Sequence, residues 1–144
     1  MTAPPQPKID ALHRLRSKFL DEFATLEAAM FEMLHKTGAD VHAQHFGQRI
    51  ELARKNIAEK QSKPPVADGL GAVLDICVSL GCIRNDLVHS RMQLVAIEGV
   101  TYAGFANNNQ VCPVDSIKPR LLTLEQFKAL SKECEKASIA LRQA

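Results

Sequence analysis

GLGAVLDICVSLGCIRNDLVH, residues 69–89, is the stretch on which the fold turns. At about 100° per residue, Val73, Ile76, Leu80, Ile83 and Leu87 make one apolar stripe, expected to face the domain's own core. Leu74, Val78 and Cys82 make a second stripe on the opposite side. A helix that is apolar on both sides must be buried on both sides. The second side is therefore covered either by another helix of the same chain or by a second copy in a dimer. The helix is expected to begin near Pro65 or Val66 and to run to His89. One turn beyond the second stripe come Asn85 and His89, four residues apart and hence neighbours on one face. Arg84 lies toward the flank, where its long side chain can swing back.

Arg84-Asn85-Asp86-Leu87-Val88-His89 places a permanent cation, an amide and an imidazole where packing alone asks for none. Arginine forks onto phosphate or carboxylate oxygens, and histidine trades protons near neutral pH. The spacing resembles the R-x(4-6)-H motif, with a polar residue directly after the arginine, of the HEPN family. These are all-helical dimers, many of them metal-independent ribonucleases. The resemblance implies that His89 is the acid/base, Arg84 the phosphate and transition-state clamp, and Asn85 a polar positioner. It also implies that two copies of the motif meet in a cleft at a homodimer interface built on Leu74, Val78 and Cys82. The expected product of such cleavage is a 2′,3′-cyclic phosphate, with no metal and no cofactor. A toxin or stress-defence ribonuclease would have RNA as substrate and an antitoxin or regulatory protein as a further partner. The family also has members that dimerise and bind nucleotide, RNA or protein without cutting, so a non-catalytic regulatory dimer is the alternative.

Each motif residue also has a plain structural reading. His89 can cap the negative end of the helix dipole, and Asn85 can satisfy backbone groups near a helix end. Arg84 can pair with Asp86 or with Asp75. Asp86 itself can orient an imidazole, hold Arg84, or repel phosphate.

Working outward, Lys8 to Thr37 contains neither Gly nor Pro. Its apolar residues Ile9, Leu12, Leu15, Phe19, Phe23, Leu26, Met30 and Met33 recur in steps of three and four, which predicts one long amphipathic helix. Gly38 is its expected stop. Phe46, Ile50, Ala53 and Ile57 signal a second helix that ends before Pro64-Pro65. After the motif, Met92–Ile97 and Val100–Phe105 flank Glu98-Gly99 and predict a β-hairpin. The stretch from Cys112 to Arg120 adds at most a short extended piece. Thr123 with Gln126 three residues on is a capping-box pattern. It opens a last helix whose buried face is Leu124, Phe127, Leu130, Cys134, Ala137 and Leu141. The expected fold is all-α: an up-down bundle of about four helices with a small β-hairpin insertion, about residues 91–120, between the last two. Residues 1–7, with three prolines, read as a flexible arm, and 8–144 as a single domain.

Composition narrows the partners. With 144 residues the chain can bury about two thirds of the surface its unfolded form exposes. Hydrophobic residues at 46% and charged residues at 24% are the balance of an ordinary globular protein. The N-terminus lacks the apolar run of a signal peptide, and residues 69–83 are too short an apolar stretch to span a bilayer, so the expectation is a cytoplasmic protein without a membrane partner. Cys77, Cys82, Cys112 and Cys134 form no zinc-site spacing and read as reduced thiols. Neither His35, His42 and His45, around the first interhelical loop, nor Gly69-x-Gly71 matches a metal or phosphate-loop pattern. A formal net charge of only +2 means that RNA binding needs a local cluster. The densest is Arg49, Arg54, Lys55, Lys60 and Lys63, either a solvated face balanced by Glu51 and Glu59 or a track for phosphates, with Arg49, Arg54 and Lys55 as the substrate-binding candidates.

Overall fold

The computed structural model describes residues 6–42, 44–60, 69–107 and 119–144. Four helices, α1 (Gln6–His35), α2 (Phe46–Lys60), α3 (Gly69–Val88) and α4 (Leu124–Arg142), form a bundle-like, mostly helical fold. Between α3 and α4 lies an antiparallel sheet of β1 (Gln93–Ile97), β2 (Val100–Phe105) and β3 (Arg120–Leu122), in that spatial order. Gln6 and Pro7, expected in the arm, belong to the first turn of α1, where a proline lacks only an N–H that the helix would not have used. The expected start of the third helix, Lys63, Cys112 and most of the 112–120 piece lie outside the described residues.

α1 buries Leu12, Phe19, Phe23, Leu26, Met30 and Leu34, following the stripe in its sequence. Gly38 ends it at φ +82°, a left-handed conformation that costs glycine little, donating its N–H to the His35 carbonyl at 3.0 Å. α4 opens with the full capping box. Gln126 donates its backbone N–H to Thr123 Oγ1 at 3.2 Å, and the Thr123 N–H donates to Gln126 Oε1 at 2.8 Å. Buried residues from all four helices and from β2 and β3 join one hydrophobic cluster. Phe105 of β2 meets Phe127 of α4 edge to face, ring centres 6.1 Å apart, and so ties the sheet to the bundle.

The hairpin is part of a three-stranded sheet, because β3 adds to the free side of β2, pairing Ala103 with Leu122 and Phe105 with Arg120. Three residues squeezed between Pro119 and the Thr123 cap are too short a run to show alternation in sequence. The hairpin loop is Glu98-Gly99, both with positive φ (50° and 79°), the signs of a type I′ turn.

The phase of α3 differs from expectation. Its core-facing residues are Leu74, Cys77, Leu80 and Leu87, whereas Ile76, expected in the core, is 40% exposed. Leu74, expected at a dimer interface, is completely buried within its own chain and has no surface to give to a partner. Val78 and Cys82 keep the expected outward placement. The phase is set by the polar residues: Asp75 and Ser79 are exposed, and the core lies on the side they leave. Among the described residues no helix is long and apolar enough to cross a membrane.

Candidate functional site

The end of α3 sorts the polar motif residues by direction. Asn85 and His89 face solvent, while Asp86, only 100° further round, is turned inward and 7% exposed. Asp86 Oδ2 accepts from Arg120 Nε at 2.8 Å and Oδ1 from Asn107 Nδ2 at 3.0 Å. Its carboxylate thus anchors the sheet to the motif helix. Arg84 is half-buried, its guanidinium 6.0 Å from the Phe23 ring centre, and donates to Asn85 Oδ1 at 3.3 Å. Among the described residues no carboxylate forms an ion pair with Arg84, since Asp86 is held by Arg120 and Asp75 by Arg54.

His89 stands one residue past α3, its backbone N–H donating to the Asn85 carbonyl at 3.0 Å. Its side chain is not what caps the helix: Arg16 reaches from α1 and donates from Nη2 to the Leu87 carbonyl at 2.7 Å. A cation at that carbonyl answers the negative end of the helix, the structural duty that His89 could have had.

Arg84 and Asn85 open onto a cleft of about 610 Å³, walled by Phe23 and Glu27 of α1, by Phe46, Gly47, Arg49 and Glu51 of α2 with the preceding Gln44 and His45, and by Val78 and Cys82 of α3. Phe46 fixes its shape. The ring meets Phe23 edge to face at 5.0 Å, and its Cδ2 lies 3.6 Å from where a Cβ on Gly81 would stand, so α2 is pressed onto α3 one turn before Arg84. Cys77 lies in the floor; burial pushes its thiol up to about 11, which keeps it protonated and un-nucleophilic at neutral pH. His89 is not among the residues that wall this cleft. Comparisons with family models, with curated proteins and with solved structures return no match.

Arg49, Arg54 and Lys55 are held differently. Arg49 spends Nε and Nη2 on the Val41 carbonyl, at 3.3 and 3.1 Å, and its guanidinium lies 5.3 Å from the Phe31 ring centre. Arg54 pairs with Asp75 at 2.7 Å and sits 3.7 Å from Glu51. Lys55 is exposed, on the side of α2 away from the buried Ala53. Of the three, Arg49 alone walls the cleft that holds Arg84. His35 and His42 are packed around Phe31, at 5.7 and 4.9 Å between ring centres. Among the described residues no three His, Cys, Asp or Glu side chains come together as metal ligands. A larger cavity of about 790 Å³ lies toward the other end of α3, between Met33, Ile57, Leu70 and Val73, and is mainly apolar.

Sequence reasoning missed Glu27 and His45 as walls of the cleft that holds Arg84. For His45 a signal existed: it directly precedes Phe46, with Gln48 three residues on, and is therefore placed at the start of a helix rather than in a free loop.

Proposed function

We propose that this chain is a metal-independent endoribonuclease of the HEPN type, of the toxin or stress-defence kind, working in the cytoplasm as a homodimer. The single observation that carries the reading is the state of Arg84: a guanidinium beside Asn85, facing a cleft, with no carboxylate pairing it among the described residues. A cation so placed is available to phosphate oxygens. Asp86, the one motif residue that would repel phosphate, spends its charge on Arg120 instead. Two outward-facing side chains, Val78 at 41% exposure and Cys82, continue into Asn85 and His89 along one face of α3. Pairing that face with a second copy would cover the apolar part and bring two His89 imidazoles to one seam. The interface proposed here omits Leu74.

In this mechanism His89 exchanges the reaction's protons and Arg84 stabilises the charge that grows on the phosphorane-like transition state. The ribose 2′-oxygen attacks phosphorus, the 5′-oxygen leaves, and a cyclic phosphate remains. Incubating total RNA with the protein in EDTA, and analysing the cut ends, tests the reading. Cyclic phosphate ends that depend on Arg84 and His89 support it. Failure of the wild type to cut any RNA would favour the non-catalytic regulatory dimer, whose binding of nucleotide, RNA or protein the same cleft could serve.

A further inference from the structure

The cleft that holds Arg84 and Asn85 also holds a polar atom with nothing to bond. Gln44, half-buried in the cleft's wall just before α2, keeps its Oε1 shut away from solvent and without a hydrogen-bond partner among the described residues. An unmet buried acceptor costs folding free energy, and native chains retain few of them. We propose that the cleft is a nucleobase subsite, in which Arg84 holds the phosphate of a nucleotide and the Gln44 amide receives an N–H from the edge of its base. The proposal rests on the ribonuclease reading above only in placing that nucleotide beside the bond that is cut.

An amide is suited to that task. Its oxygen accepts and its nitrogen donates side by side, and each nucleobase has an edge on which a donor and an acceptor are likewise adjacent. The Gln44 main chain is anchored, its N–H donating at 3.2 Å to the Val41 carbonyl on which Arg49 also closes, and Val41 is completely buried. Water does not reach Oε1, so the acceptor is met only by a group that enters the cleft and to which the amide turns. The volume of about 610 Å³ is that of sites that enclose a small molecule. Phe46, half-buried, and Val78, 41% exposed, offer apolar wall to a base. Unpaired bases of RNA are recognised in this way, held against apolar or aromatic side chains and bonded at their edges. Glu27 and Glu51 also wall the cleft and repel phosphate, while Arg49 is held by Val41. The anionic end of a nucleotide therefore belongs at Arg84, and its uncharged base in the remainder of the cleft.

The test is binding of AMP, GMP, CMP, UMP and ribose 5-phosphate, by isothermal titration calorimetry, to the full-length wild type, Gln44→Met and Arg84→Ala. Ribose 5-phosphate carries the phosphate and no base. At least one nucleotide should bind the wild type about 10-fold more tightly than ribose 5-phosphate does. That advantage should disappear in Gln44→Met, with ribose 5-phosphate bound as before, and Arg84→Ala should weaken every ligand. Exchanging an unmet acceptor for apolar atoms of similar size does not destabilise a fold, so the urea midpoint of Gln44→Met should equal or exceed that of the wild type. All ligands bound equally by the wild type, or none bound at millimolar concentration, overturns the subsite without recourse to any variant. A base preference that Gln44→Met keeps in full overturns the role of Gln44. Cleavage of RNA in EDTA decides the ribonuclease reading separately, and base-selective binding by a protein that cuts nothing would leave this subsite standing in the non-catalytic dimer.

Discussion

At the residue scale the motif contains one structural carboxylate, Asp86, between residues proposed to act on RNA. Asp86 is buried between Asn107, itself 4% exposed, and Arg120. Asp86→Ala strips a charge-assisted bond and leaves the Asn107 amide without this acceptor, so it should cost about 2–3 kcal/mol in urea unfolding. Full stability in that variant would show that the sheet is held by its apolar contacts alone. The buried thiols make a second prediction. Burial pushes Cys77 up to about 11 and Cys134 up to about 12, the latter also raised by Glu22, Cys77 and Glu133, from an ordinary value near 9. On raising the pH above about 9 the unfolded chain releases these protons first, so stability falls until the folded values are passed. The urea midpoint should drop as the pH rises from about 9 to about 11, and the drop should be smaller in Cys134→Ala. An equal drop in both proteins would assign it to other groups.

At the scale of the element, the β1–β2 turn carries a local strain. Glu98 adopts φ 50°, a left-handed conformation that costs a residue with a Cβ about 1 kcal/mol and that asparagine tolerates better. Glu98→Asn should therefore raise stability by about 0.5–1 kcal/mol in thermal or urea melts, and a loss would mean that the Glu98 side chain contributes something the backbone argument omits. The hairpin was legible because Glu98-Gly99 interrupts two β-rich runs. α1 was legible because its stripe from Leu12 to Met30 is apolar on one side only. α3 was recognised as a helix but rotated from its expected phase, because apolar residues on nearly every side leave the stripe ambiguous; Asp75 and Ser79 hold the information about which side is wet. β3 was too short to announce itself. The partners of Asp86 come from residues 107 and 120, distant in sequence, and nothing local in the motif encodes them. His45 reads in sequence as one of three histidines around a loop, and only the packing of α2 on α3 puts it on the wall of the cleft that holds Arg84 and Asn85.

At the scale of the whole molecule, the proposed dimer depends on the face of α3 that holds Val78, Cys82, Asn85 and His89. An isologous pairing there repeats the same patch on both subunits. Light scattering at micromolar concentration should give twice the monomer mass, and Val78→Glu, which places like charges opposite each other, should shift it to the monomer mass; a wild-type monomer would remove the shared seam. The central claim is that Arg84 and His89 cut RNA. It is tested most directly by the rate at which wild type, Arg84→Ala and His89→Ala cleave one defined RNA oligonucleotide in EDTA, with the ends analysed for 2′,3′-cyclic phosphate. Each substitution should lower the rate by about 10²-fold or more, with RNA binding weakened more by the arginine change than by the histidine change. Equal cleavage by all three proteins, or cleavage that EDTA abolishes, would contradict the account.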